Sequence, residues 1–217
     1  IDGYILTGYR GEIDDTKIRN GVTYRFVGWY PENDSGTAHG NDLITDDKWN
    51  EYKDGSYGYW PGQESDLSDG TVNFYAKYVP VTQNITITKH VTGLFGDKDR
   101  EFNFSVSFSP AATDVTATKN LRESGTEDVA NLSSFTLRHN DSITLNGVPV
   151  GTVITIMESD ASDYTVTATG ATGDEQKGDK ASFTYTVVSN SASTQSLEDG
   201  ESDIALMSTC LLYTSPS

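Results

Sequence analysis

Lys89 stands where a strand would carry an apolar residue. The stretch Ile85-Thr86-Ile87-Thr88-Lys89-His90-Val91 alternates apolar and polar, the pattern of a half-buried strand. Ile85, Ile87, Lys89 and Val91 share parity, so their side chains leave the same, apolar face. A lysine there must be desolvated, paired or consumed by chemistry. A second stretch repeats the anomaly with the opposite charge. In Thr152-Val153-Ile154-Thr155-Ile156-Met157-Glu158, Glu158 shares parity with Ile154 and Ile156. A core-facing lysine and a core-facing glutamate in one β-domain imply a buried ion pair or an intramolecular isopeptide bond. The remaining option is a lysine with a buried stem and an ammonium that reaches water.

Other constellations are weaker. His39, His90 and His139 are scattered and none lies in a ligand-spaced motif, so no metal site is expected. No nucleophile elbow, Ser-His-Asp signature or phosphate-binding loop is present, and no enzyme activity or cofactor is expected. Asp14-Asp15, Asp34, Asp42, Asp46-Asp47, Asp66 and Asp69 could meet Ca²⁺, but without EF-hand spacing they read as a solvated acidic surface. Trp49, Tyr52, Tyr57, Tyr59 and Trp60 could stack on sugars; packing of a small module is the plainer reading. The sequons at Asn84 and Asn131 are expected by chance in a chain so rich in threonine.

The elements that must position Lys89 and Glu158 follow from composition and punctuation. The 217 residues suffice for one large or two ordinary domains. Aromatic content of 11% argues against disorder. The net charge of −17 repels nucleic acid and anionic lipid. Cys210 is the single cysteine, so no internal disulfide can staple the fold. No run of about 18 apolar residues is long enough to span a membrane.

Residues 1–79 form one compositional unit. Thr23-Tyr24-Arg25-Phe26-Val27-Gly28-Trp29-Tyr30 reads as a strand, and Thr71-Val72-Asn73-Phe74-Tyr75-Ala76-Lys77-Tyr78 closes the unit as another. Residues 31–70 read as long loops with a short helical turn at 46–52. Residues 80–83, with Pro80, read as a linker. The second unit, 84–209, predicts strands at 84–92, 101–109, 133–139, 141–147, 152–158, 163–169, 181–188 and 203–207. Phe102, Phe104, Val106 and Phe108 share one face. Short strands, frequent turns and no helical period indicate an all-β fold, with a β-sandwich as the second unit.

Two resemblances sharpen this reading. Tyr24-Arg25-Phe26-Val27-Gly28-Trp29-Tyr30 and Phe74-Tyr75-Ala76-Lys77-Tyr78 resemble the Listeria–Bacteroides (internalin B-type) repeat, a small β-module of bacterial surface proteins. Thr88-Lys89-His90-Val91-Thr92-Gly93, Gly96–Phe104, Ile143–Thr152, Ile154–Glu158 and Tyr164-Thr165-Val166 resemble a streptococcal-type pilin isopeptide linkage domain, an Ig-like sandwich. That resemblance implies that a first-strand lysine bonds to an asparagine on the last strand, beside a glutamate; Lys89 and Glu158 are the positions carried over. Burial lowers a lysine's pKa and keeps a carboxyl protonated. A neutral amine would attack the carboxamide, and Glu158 would relay protons as ammonia leaves. The event happens once, without turnover.

The last strand, which in that family ends Phe-Thr-Asn, is not found; Glu198–Met207 resembles the approach to it. Asn190 is a poor substitute, since its parity matches Thr184, Thr186 and Val188 rather than Phe183, Tyr185 and Val187. Cys210-Leu211-Leu212-Tyr213-Thr214-Ser215-Pro216-Ser217 resembles a translated sequencing adapter, so a sandwich lacking its last strand and its bond-forming asparagine is expected, and no self-crosslink in the chain as it stands. Together these features imply a structural stalk or pilin-like segment of a Gram-positive cell-surface adhesin, extracellular and wall-anchored or secreted. Its expected partners are neighbouring domains and a host protein or glycan, with no nucleic acid and no membrane contact. The alternative is a ligand-binding module in which the aromatic loops of the first unit recognise a glycan or host protein.

Overall fold

A computed structural model describes residues 15–31, 74–123, 125–189 and 200–210. Every described element is a β-strand. The first are β1 (Thr16–Arg19), β2 (Val22–Pro31) and β3 (Phe74–Pro80). They form a three-stranded sheet in the order β1-β2-β3. The chain divides into two compact units, one of residues 1–17 and 24–79, the other of 18–23 and 80–217.

In the first unit, Phe26 and Tyr78 meet edge to face with ring centroids 5.6 Å apart. Lys17 Nζ lies 4.6 Å from the Tyr78 ring centroid. The helical turn expected at 46–52, the aromatic cluster Trp49–Trp60, His39 and the acidic residues from Asp34 to Asp69 lie outside the described residues, as do Asp14 and Asn190.

The second unit holds the remaining strands. They are β4 (Thr82–Thr92), β5 (Phe102–Ser109), β6 (Thr116–Asn120), β7 (Thr126–Asp128) and β8 (Phe135–Leu137). Then come β9 (Ser142–Pro149), β10 (Val153–Ser159), β11 (Tyr164–Thr169), β12 (Gln176–Lys177), β13 (Lys180–Thr186) and β14 (Gly200–Cys210). They make a four-stranded sheet, β13-β10-β5-β8, and a seven-stranded sheet, β12-β11-β14-β4-β9-β6-β7. Ile85, Ile87, Leu145 and Ile204 from the larger sheet share one apolar core with Phe102, Phe104, Ile154 and Phe183 from the smaller. That shared core makes the unit a β-sandwich.

Strand β4 shows why the local pattern folds this way. Its burial alternates along all eleven residues, with Gln83, Ile85, Ile87, Lys89 and Val91 inward. The alternation continues through Gln83, and Val81 belongs to the core. Residues 82 and 83 are thus part of the first sandwich strand, where the sequence suggests a linker. Val81 N donates to Thr23 O at 2.9 Å, and Val150 N donates to Val81 O at 2.8 Å, so the backbone is already paired there.

The last strand is where the structure departs furthest from expectation. A strand is expected only at 203–207, without a complete last strand; instead β14 runs the full span Gly200–Cys210 beside β4. It runs parallel to β4, with Gly200 opposite Gln83 and Thr209 opposite Thr92. On its other side it runs antiparallel to β11, with Tyr164 opposite Cys210. The strand therefore includes Cys210, the first residue of the adapter-like segment, while 211–217 lie outside the described residues. Its sequence, GESDIALMSTC, contains no asparagine.

Candidate functional site

Three elements converge on the anomalous lysine. Strand β4 aims Lys89 into the core, and β10 aims Glu158 into it from the opposite sheet. Strand β5 supplies aromatic rings beside them. Lys89 Nζ donates to Glu158 Oε1 at 2.7 Å and to Oε2 at 2.8 Å. Both side chains are 0% exposed, so the option of an ammonium reaching water is excluded. Strand parity turns both side chains into the core, and the packing of the two sheets brings them together across 69 residues.

The surroundings are apolar. Nζ lies 4.2 Å from the ring centroid of Phe102 and 5.9 Å from that of Phe104. Phe102 packs edge to face on Tyr164, centroids 5.2 Å apart. Leu206 is the register partner of Lys89 on β14 and is fully buried. Burial in this setting pushes the Lys89 pKa down from its ordinary value, and the nearby Arg100 charge adds to that. The Glu158 carboxylate and its hydrogen bond oppose both without cancelling them. Ammonium with carboxylate and amine with carboxylic acid differ only in the place of one shared proton. A bidentate pair in a dry pocket can move that proton without changing net charge.

Beside this pair lies a turn that sequence reading missed. Strand β9 pairs with β4 only as far as Ser142 opposite Thr88. Beyond that point the loop 138–141 takes over the ladder. Lys89 N donates to Asp141 O at 3.0 Å, and Asn140 N donates to Lys89 O at 2.7 Å. Val91 N then donates to His139 Nδ1 at 2.9 Å. The buried Asp141 carboxylate accepts from Arg122 N at 2.9 Å and Arg138 N at 2.8 Å. The sequence pattern places Asp141 at the start of a strand, 141–147, and gives it no role; the backbone donors it meets reveal one.

The histidines behave differently from their scattered appearance. The rings of His90 and His139 stand edge to face, 6.1 Å apart. Burial, together with the charges of Lys98, His90 and Arg122, lowers the His139 pKa below its ordinary value. Among the described residues, no group of three or more His, Cys, Asp or Glu could hold a metal ion. Asn84 Oδ1 accepts from Gly147 N at 3.1 Å, and Asn131 Oδ1 accepts from Ser133 N at 3.0 Å. Asn84 thus ties β4 to β9 where their register shifts, and Asn131 holds its own turn. No helix among the described residues is long and apolar enough to cross a membrane.

Residues 83–191 match the model of a protein family described as a domain of unknown function, DUF7601. That is half of the chain. The chain belongs to the DUF7601 family. The matched span of this DUF7601 domain includes both Lys89 and Glu158. The chain is also 34% identical over 108 residues to the pilus tip adhesin Cpa of Streptococcus pyogenes. The alignment takes in 49% of the chain and 16% of that relative, so the DUF7601 chain spans about a sixth of its length. Among solved structures it is similar to the pilus-presented adhesin Cpa, with 23% identity and a TM-score of 0.42, over 60% of this chain and 28% of that one. It is also similar to the major pilin from Streptococcus pyogenes, with 20% identity and a TM-score of 0.41, over 64% and 55% of the two chains.

Proposed function

We propose that this chain is a structural, pilin-like segment of an adhesin on the surface of a Gram-positive bacterium. In this reading the DUF7601 domain carries tension, and a lysine–asparagine bond between β4 and β14 stiffens it whenever β14 supplies the asparagine. The observation that carries the reading is the fully buried Lys89–Glu158 pair, with Lys89 on the strand that lies beside β14. The identity with a pilus tip adhesin supports the surface setting. The role is mechanical rather than catalytic, and the partners are the neighbouring domains of the same protein and a host surface protein or glycan. The first unit, with its repeat-like strands, would serve as a spacer.

The chemistry is a single amide exchange. The uncharged Nζ of Lys89 attacks the side-chain carbonyl carbon of an asparagine; an N–C bond forms and the C–NH₂ bond breaks. Glu158 takes the proton that Nζ loses and hands one to the departing nitrogen, which leaves as ammonia. In the chain as it stands Leu206 faces Lys89 in register, so the amine has no carboxamide on β14 to attack.

Position 208 is where the asparagine belongs. It shares parity with Ile204 and Leu206, both buried. Lys89 Nζ lies over Phe102, Phe102 packs on Tyr164, and Tyr164 is opposite Cys210. This chain of contacts favours the 208–210 end of β14 over the register partner Leu206 as the place for the carboxamide. Intact-mass measurement of Ser208→Asn tests the reading. The variant should lose one ammonia relative to its sequence mass, and the loss should vanish on adding Lys89→Ala or Glu158→Ala. The unaltered chain should keep its full mass. A folded Ser208→Asn protein that retains its ammonia would overturn the crosslink.

A further inference from the structure

The Phe102 ring over Lys89 and the Tyr164 ring packed on it are themselves covered. Phe102 and Tyr164 are 0% and 3% exposed, and on their outer side lies Arg100. Its guanidinium carbon is 5.2 Å from the Phe102 centroid and 5.3 Å from the Tyr164 centroid. The Arg100 side chain is 29% exposed, so it forms the boundary between the aromatic pair and water. The guanidinium is held in place from beyond. Nη2 donates to the carbonyl oxygen of Asp160, and Nη1 lies 3.6 Å from the Asp163 carboxylate. Asp160 is fixed in turn, because its carboxylate accepts from the Asn103 side-chain amide. The Tyr164 hydroxyl accepts from Asp97 N at 3.3 Å, which ties the second ring to the loop after β4. From solvent inward the order is Arg100, then Phe102 with Tyr164, then Lys89, then Glu158.

We infer that Arg100 is a positioning residue for the amine of Lys89, clamping Phe102, with Tyr164 packed on it, over that amine. The clamp acts in two ways. A stacked guanidinium holds both rings closed, which keeps water from the amine. A fixed positive charge behind the rings also disfavours a second positive charge in front of them. Both effects favour the nucleophilic, uncharged lysine, against the Glu158 carboxylate from β10, which favours the ammonium. The other ionisable group at the rings, Tyr164 on β11, has its hydroxyl turned to Asp97. The sequence hides this role, because Arg100 lies in the turn-rich connector before β5, where no period marks a facing side.

The inference deepens the crosslinking proposal, yet its first test does not need the crosslink. In protein labelled at lysine Cε, the Lys89 signal is assigned with Lys89→Ala and titrated with pH by NMR. Arg100→Met keeps an unbranched stem over the rings and removes the charge; Arg100→Lys keeps the charge and loses the planar fork. The Lys89 midpoint should rise in Arg100→Met, and rise less in Arg100→Lys. A midpoint in Arg100→Met that stays at the wild-type value or falls would overturn the inference. The second readout is the rate of ammonia loss in the Ser208→Asn background, expected to drop about tenfold with Arg100→Met through loss of a fixed near-attack geometry. If Ser208→Asn never loses ammonia, the crosslink proposal fails, while the titration still decides the role of Arg100.

Discussion

Two opposite charges 2.7 Å apart and shut off from water constrain each other's removal. Taking away one leaves the other buried without its counter-charge, whereas replacing both with apolar groups of similar volume removes the desolvation penalty along with the attraction. Lys89→Met should therefore destabilise the second unit by about 3–5 kcal/mol, read from urea unfolding. Lys89→Met with Glu158→Leu should return it to within about 1 kcal/mol of the parent, or above it. Additive single effects would show that the pair is not coupled. The proton balance gives a second handle. Lys89 has a folded pKa below the ordinary 10.5, so between those two values the unfolded chain binds more protons than the folded one. Stability should rise with pH through that alkaline window, and the rise should be absent from the double variant.

At the scale of elements, the loop 138–141 continues the pairing of β4 where β9 stops, and this makes part of the sandwich sensitive to acid. His139 Nδ1 accepts a hydrogen bond from Val91 N, so the neutral ring must carry its proton on Nε2. A protonated imidazole has no acceptor left. The folded pKa of His139 lies below the ordinary 6.5, so the unfolded state takes up the proton first as pH falls. Its contribution is complete above about pH 6.5 and is lost as pH falls from there through the folded value. His139→Leu should cost about 1 kcal/mol at neutral pH for the lost acceptor, and should weaken the fall in stability on acidification. Urea midpoints at pH 7.5 and pH 5 for parent and variant check this; equal acid losses in the two would rule the histidine out.

The same scale shows how much of the fold was legible. Lys89 and Glu158 were found by parity, because on a strand with one buried face a residue's side follows from counting by two. The phenylalanines of β5 were found the same way. Strands β6 and β7 were not, because they lie at the margin of the larger sheet and bury little; of β6, only Ala117 is buried. Arg100 escaped because loops carry no period, while the sequence pattern puts His139 and Asp141 in strands 133–139 and 141–147 and they lie instead in the loop between β8 and β9. Their roles depend on backbone donors and rings brought from elsewhere in the chain. The full length of β14 escaped for another reason. Its first residues are glycine and acidic, and only flanking by β4 and β11 makes them a strand.

For the molecule as a whole, the direction of β14 decides how the second unit meets force. Because β14 and β4 are parallel, the start of β4 near Pro80 and the end of β14 at Cys210 lie at opposite ends of the same ladder. A pull applied at those two points slides one strand along the other and loads all the bonds between 83–92 and 200–209 together. A pull applied at Gly93 and Cys210 starts from neighbouring strand ends and opens the same bonds one after another. Strength in shear is shared and strength in peeling is not, so the first geometry should need a markedly higher force. Single-molecule extension can compare the two, using Cys210 as one handle and Pro80→Cys or Gly93→Cys as the other. Ser208→Asn adds a further consequence. Once Lys89 and residue 208 are joined, residues 90–207 are bypassed by the covalent path and cannot extend. The length released on unfolding from Pro80→Cys should then shrink to the few residues outside the loop, and Lys89→Ala should restore it. Equal rupture forces in the two geometries would remove the mechanical role from this sheet, whatever the mass measurement shows.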